Sequence, residues 1–199
     1  MVMWVLGFVV AILWANVLEW SIHRFVLHDL GRKRGNFWRF HWSDHHSAAR
    51  RNGFEDPDYA VTPFQWNAQG KEVVSLGFLF CLSLPFVWVS WGFVIGSWLS
   101  IANYYLLHRW AHLRPAWCRR WMPWHYDHHM APNQDMNWCV TWPLMDHLMG
   151  TRLVWVGTDK EAQQWAKIRA RKEDYRLRRD NPTSPSNAAT NPKSRGVWC

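Results

Sequence analysis

The sequence predicts an all-α protein, an integral membrane helical bundle with about three transmembrane helices under a cytosolic His-rich helical cap. Two long apolar stretches carry no charged residue, and the 18 tryptophans among 199 residues are far more than usual. Tryptophan is enriched where a membrane meets water. Lys and Arg lie outside both apolar stretches, and such segregation is typical of membrane proteins.

The positive charge of the chain fits two kinds of partner. A formal net charge of +8 suits either nucleic acid or the anionic cytoplasmic face of a membrane. A nucleic-acid binder needs its basic residues gathered on a compact soluble surface, which the long apolar stretches disfavour. We therefore expect a lipid bilayer as the partner and no nucleic acid.

The first predicted span is the N-terminal apolar stretch. Residues 2–18 are free of charge, which is about the minimum for a helix that crosses the hydrocarbon core, and Ile22 and Val26 extend the run. A cleaved signal peptide begins with basic residues and ends at a small-residue cleavage site. Neither feature is present here, so we expect the helix to remain in the mature protein.

The second apolar stretch, residues 73–107, predicts a hairpin. As one helix it would be about 50 Å long, whereas the hydrocarbon core is about 30 Å thick. Pro85 and the stretch Ser90-Trp91-Gly92 can interrupt it, so we expect a hairpin of two short helices that enters near Lys71 and returns near Arg109. The basic flanks then share one side, which predicts an external N-terminus and cytosolic histidines and C-terminus.

The remaining segments are predicted from composition. Residues 53–70, rich in Pro, Gly and aromatic residues, predict an irregular loop at the membrane surface that caps the site. We expect one membrane-embedded catalytic domain over residues 1–158, a charged surface helix over 159–180, and a disordered tail over 181–199 that is rich in Pro, Ser and Asn.

Histidine is the most informative residue type. Of the 11 histidines, ten fall in four tight groups. Neutral imidazole binds iron, zinc and copper, so ten rings can supply two metal sites of about five nitrogens each. The groups are His23 and His28; His41, His45 and His46; His108 and His112; and His125, His128 and His129.

The spacing within the groups is mostly that of one helix face. On an α-helix, residues three and four apart share a face, which holds for the last two groups. Residues five apart, such as His23 and His28, are about 140° apart. They must therefore flank a metal or lie where the helix is distorted. An even number of crossings by the hairpin puts all four groups on one membrane side, where a substrate can enter sideways from the lipid.

These boxes, HxxxxH, HxxxHH, HxxxH and HxxHH in this order, resemble the fatty acid hydroxylase and sterol desaturase superfamily. The segment HHMAPNQDMNWCVTWPLMDHLMGT is similar to the family's ending, with Cys139 where glycine is usual. The resemblance covers residues 23–151. It implies a membrane-anchored oxidoreductase in which the ten box histidines hold two metal ions, iron by family expectation, and dioxygen is the co-substrate.

The resemblance also implies a lipid-like substrate, fatty acyl, sterol or related, and a separate electron donor protein. Two alternatives stay open: a carotenoid ring hydroxylase, and a non-catalytic membrane protein that binds zinc, because imidazole ligands do not exclude zinc. Further residues are candidates for additional ligands or for hydrogen-bond partners of the ligating rings. They are His147, Glu19, Asp44, Asp127 and Asp146.

Overall fold

The computed structural model describes residues 2–180, and every regular element in that range is helical. The all-α prediction is confirmed. The predicted disordered tail, residues 181–199, lies outside the described residues. The α-helices are α1 (Val2–Ser21), α2 (Ser47–Arg51), α3 (Ala68–Ser83), α4 (Trp91–Leu113), α5 (Pro115–Trp121), α6 (Pro123–Met130), α7 (Leu144–Leu148) and α8 (Asp159–Asp180).

Two segments are π-helices, in which the backbone bonds run from residue i to i+5. The first π-helix, Ile22–Leu30, continues α1, and the second, His41–His46, runs into α2. Two short 3₁₀-helices, Pro57–Ala60 and Leu84–Trp88, complete the set in the described residues.

Two continuous helical segments are long and apolar enough to cross a membrane, Val2–Leu30 and Ala68–Trp88. Both leave most of their surface uncovered by protein, as lipid-facing helices do. The third predicted crossing, α4, has 23 residues and is not one of these two segments. The fold remains the helical bundle that the sequence predicts.

The bundle is held by the close approach of α1 and α4. A Cβ at Gly92 would lie 1.9 Å from the Trp4 carbonyl oxygen, and one at Gly96 would lie 2.8 Å from the Ala11 Cβ. Small residues let membrane helices pack closely. The earlier residue of α4, Gly92, meets the earlier residue of α1, Trp4, and the later Gly96 meets the later Ala11. The two helices therefore run parallel.

α3 and α4 form the predicted hairpin. Side-chain hydrogen bonds join them at both ends, from Trp98 to Ser83 at 3.0 Å and from Gln69 to Tyr105 at 2.7 Å. The side chains of Asn67 and Ser90 cap the two helices by accepting from backbone N–H groups. The start of α3 therefore lies beside the ends of α1 and α4, and the histidines cluster at this end.

The described residues fall into two compact units, one that ends at Val156 and one that begins at Gly157. In the described part of the second unit, α8 covers the same residues as the predicted charged helix. Asp159 and Glu161 occupy its first turn, where negative charge is favourable.

Candidate metal centre

Four parts of the fold bring the ten box histidines together. They are the first π-helix, the second π-helix, the end of α4, and α6. None of the ten rings is more than 3% exposed. Burial of so many polar rings at one place is costly unless their nitrogens are satisfied.

The two π-helices explain the spacing of five. In an α-helix His23 and His28 would diverge, but i→i+5 bonding stacks residues five apart on one face. The same holds for His41 and His46. Of the two alternatives that the sequence left open, the structure shows the distorted helix.

Five rings form what we call the first histidine group. Their nearest nitrogens all lie within 4.8 Å of one another. The Nε2 atom of His46 lies 3.1 Å from those of His28 and His41 and 3.2 Å from that of His128, and the Nε2 atoms of His23 and His41 are 3.0 Å apart. Its members are His23, His28, His41, His46 and His128.

Four further rings form the second histidine group, with the same 4.8 Å limit. They are His45, His108, His112 and His129. The tenth predicted ligand, His125, lies beside this group without belonging to it, and its Nε2 is 3.2 Å from the His112 Nε2. Nine of the ten predicted ligands therefore fall into two sets.

Backbone carbonyls fix the orientation of three rings. The Nδ1 atoms of His23, His112 and His128 lie 2.5, 2.8 and 2.7 Å from the carbonyl oxygens of Trp138, Phe54 and Met136. A carbonyl can only accept, so each Nδ1 carries the hydrogen and donates it. Each Nε2 then has a free lone pair that points into the cluster.

Two carboxylates fix two more rings, both in the second histidine group. The Nδ1 of His45 donates to Asp56 at 2.7 Å, and that of His108 donates to Glu72 at 2.9 Å. Tyr59 donates its hydroxyl hydrogen to Glu72 as well. The Nε2 atoms of His45 and His108 are buried and have no hydrogen-bond partner among the described residues.

This arrangement fits metal ions. Burial lowers the pKa of His41, His46 and His129, and lowers the pKa of His128 to about 4, so these rings are neutral at ordinary pH. Converging lone pairs repel one another unless a cation lies between them. With a metal–nitrogen bond of about 2.1 Å, ligands at right angles are about 3 Å apart, which is the spacing seen in the first histidine group.

The sequence missed Asp56, Glu72 and Phe54. Glu72 is an acidic residue at the start of an apolar helix, which is a recognisable signal for a functional carboxylate. Phe54 has a left-handed backbone, with φ of 86°, that directs its carbonyl to His112, and its ring stacks on His112 at 4.4 Å. The 53–70 segment does cover the second histidine group.

The predicted partners Glu19 and Asp146 form no hydrogen bond with a histidine ring among the described residues. Glu19 accepts hydrogen bonds from the backbone N–H groups of Val140 and Thr141, and Asp146 accepts from those of Trp138 and Cys139. They hold the loop whose Trp138 carbonyl orients His23. Glu19 therefore affects the candidate centre indirectly, by holding the backbone of Val140, which lies 121 residues later in the chain.

The other three predicted partners likewise form no hydrogen bond with a ring of either histidine group among the described residues. Asp127 is buried and bonds Arg152 at 2.8 Å and the backbone of Val156 at 2.8 Å. Asp44 is exposed and lies 3.7 Å from Lys71, and His147 is exposed outside both groups.

An apolar cavity of about 630 Å³ leads to the histidines. It runs between α1, α3 and α4, past Leu79 and Phe93, and ends at His23, His41 and His108. Along α3 its wall extends from Glu72 to Ser83, which is about 16 Å of helix. The volume is in the range of small-molecule binding sites.

A family model described as fatty acid hydroxylase matches residues 8–151. The chain belongs to the fatty acid hydroxylase family. No curated protein and no solved structure matches it. As a fatty acid hydroxylase family member with two apolar crossing helices and two histidine groups, it is an integral membrane protein of an oxidoreductase family with the means to bind metal.

Cys139 stands where the resemblance to the family leads us to expect glycine, and the structure shows how the turn forms without one. The residue with a left-handed backbone in the turn before Cys139 is Asn137, with φ of 57°. Its side-chain amide donates to the Leu153 carbonyl, and its side-chain oxygen accepts from the Leu153 N–H. Cys139 is fully buried and donates its N–H to Asp146. The turn therefore needs no glycine at position 139.

Proposed function

We propose that this chain is a membrane-bound, O2-dependent hydroxylase of a lipid-like substrate, fatty acyl, sterol or related, that works with two iron ions. The observation that carries the proposal is the apolar cavity, because it ends at rings from both histidine groups. A chain-like apolar molecule in this cavity would present one carbon to His23, His41 and His108.

The first histidine group would hold one ion and the second histidine group the other, with His125 as a further donor to the second. When bound, the two ions supply the dioxygen chemistry that replaces a C–H hydrogen by hydroxyl. One oxygen atom goes to the product and the other leaves as water. The balance needs two electrons and two protons, and we assign the electrons to a separate donor protein.

The protein's own residues position the substrate and exclude water. Leu76, Leu79 and Phe93 offer only apolar contacts, so the cavity wall favours hydrocarbon over water. Glu72 holds the hydrogen on the His108 Nδ1 and keeps the Nε2 lone pair free.

The test is purification of the full chain in detergent, followed by metal analysis, oxygen consumption and lipid product analysis with a reductant. We expect about two iron ions per chain and a product heavier by one oxygen atom. Zinc content without oxygen consumption would instead support the non-catalytic alternative, because zinc is redox-silent. Expression in a carotenoid-producing host distinguishes ring hydroxylation from lipid hydroxylation.

A further inference from the structure

The two histidine groups differ in the charge of their outer partners. In the second histidine group, His45 and His108 donate to the carboxylates of Asp56 and Glu72, which are 1% and 7% exposed. In the first histidine group, His23 and His128 donate to neutral backbone carbonyls.

The charge of the two buried carboxylates is not neutralised by a basic side chain. Among the side chains that the structure describes, no Lys or Arg forms an ion pair with Asp56 or Glu72. At the first histidine group, Asp135 lies 3.8 Å from the His28 Nδ1, but it is 52% exposed and pairs with Arg32. Glu19 and the buried Asp146 bond backbone N–H groups there rather than a ring. Among the described residues, carboxylates therefore accept directly from rings of the second histidine group and not from rings of the first.

Such carboxylates strengthen metal binding. A carboxylate that accepts from a ligating histidine makes the ring a better donor, and loss of such a partner typically costs about 10- to 100-fold in metal affinity. A buried negative charge also attracts a divalent cation more strongly than an exposed one does. The second histidine group combines both effects, because its rings donate directly to buried carboxylates.

We infer that the two metal positions are unequal: the second histidine group binds the tighter ion and fills first, with Asp56 and Glu72 as positioning residues. The inference rests on the proposed two-metal function. The first histidine group, whose rings His23 and His128 donate to neutral backbone carbonyls, fills second.

Co²⁺ titration of the metal-free full chain in detergent, against a competing chelator, tests the order. We expect two classes of binding. His41→Ala, in the first histidine group, is expected to keep the tight class, and His112→Ala, in the second, is expected to lose it. The reverse pattern, or two indistinguishable affinities in the unmodified chain, would overturn the inference.

The Glu72→Gln variant removes the negative charge of Glu72 and keeps its hydrogen bonds. The glutamine oxygen can still accept from the His108 Nδ1, and its amide can donate to the Tyr59 oxygen, so the orientation is kept while the charge is lost. We expect the tight Co²⁺ affinity to fall about 10- to 100-fold. The Co²⁺ absorption spectrum at saturation should stay the same, because the ligands are unchanged.

Asp135→Asn is the matched control, since it removes a carboxylate near the first histidine group. It is expected to leave the tight class unchanged. An equal loss of tight affinity in Glu72→Gln and Asp135→Asn, or none in Glu72→Gln, contradicts the inference. If Glu72→Gln does not fold, Asp56→Asn gives the same test at His45. Absence of all Co²⁺ binding would contradict the two-metal function itself.

Discussion

At the scale of single residues, the hydrogen-bond partner of each histidine Nδ1 decides which ring nitrogen faces the candidate metal centre. A ring whose Nδ1 donates to a carbonyl or carboxylate presents its Nε2 lone pair to the centre, as His112 and His128 do. His147 is exposed and belongs to neither histidine group. These differences give a test at the level of single side chains.

We expect His112→Ala and His128→Ala each to abolish metal-dependent turnover while the protein still inserts into membranes. The physical reason is the loss of one donor from each histidine group. His147→Ala is the matched control and is expected to keep full metal content and activity. Membrane fractionation, metal analysis and product formation are measured together; retained turnover in either of the first two variants contradicts the ligand assignment.

The clustering of the histidines was predictable from sequence, whereas their hydrogen-bond partners were not. The ten histidines stand out because they fall in four tight groups along the chain. Glu72 meets His108 across 36 residues, and only the α3–α4 hairpin brings them together. Glu19 is one helical turn from His23, so the sequence suggested a direct contact. Its carboxylate instead points to Val140 and Thr141, a contact that depends on the tertiary fold.

At the level of elements, α1, α3 and α4 form the apolar bundle, and their ends on one side meet at the histidines. α1 continues into the first π-helix, α4 carries His108 and His112 near its end, and α3 contributes Glu72. The hairpin was predictable from Pro85 and from the length of the apolar run. The parallel packing of α1 on α4 was not, because it depends on Gly92 and Gly96, which the sequence alone presents only as small residues.

Gly92→Val is expected to destabilise the bundle. A Cβ at position 92 would lie 1.9 Å from the Trp4 carbonyl oxygen, so the valine side chain would clash with it. Overpacking of this kind costs about 1–3 kcal/mol of folding free energy. Gly77→Val on α3 is the control, since a Cβ there meets nothing within 4 Å. Thermal unfolding in detergent should show a lower Tm for Gly92→Val only; equal Tm values would argue against close α1–α4 packing.

A second element-level prediction concerns the cavity. Ser100→Phe places a ring inside the cavity and is expected to lower turnover of long-chain substrates about tenfold or more. The bound metal content should not change. Leu106→Phe, on an exposed face of the same helix, is the control and should leave both unchanged. Unaltered product formation by Ser100→Phe would show that substrate takes another path.

For the whole molecule, the distribution of charge predicts orientation. Arg24, Lys71 and Arg109 lie at the histidine end of the bundle, and the opposite ends of the helices carry no basic residue. Basic residues favour the cytoplasmic side. We therefore propose that the histidines face the cytosol and the α3–α4 connection faces outward.

Cysteine labelling tests this orientation. In a chain with Cys81 and Cys199 replaced by serine, Val89→Cys should react with an impermeant maleimide on intact cells. Lys33→Cys, at the histidine end, should react only after the membrane is opened. Both side chains are exposed on the protein surface, so a difference in labelling reflects the membrane and not burial by protein. The opposite labelling pattern would invert the proposed topology.

The two π-helices also bear on how related sequences are recognised. A π-helical segment is in effect an α-helix with one extra residue, so a spacing of five there presents the same pair of rings as a spacing of four in α4. We therefore expect that a one-residue insertion or deletion between two histidines of a box is compensated by a change between π-helix and α-helix, with the two rings still on one face. A search pattern that fixes the number of intervening residues would pass over chains that build the same centre.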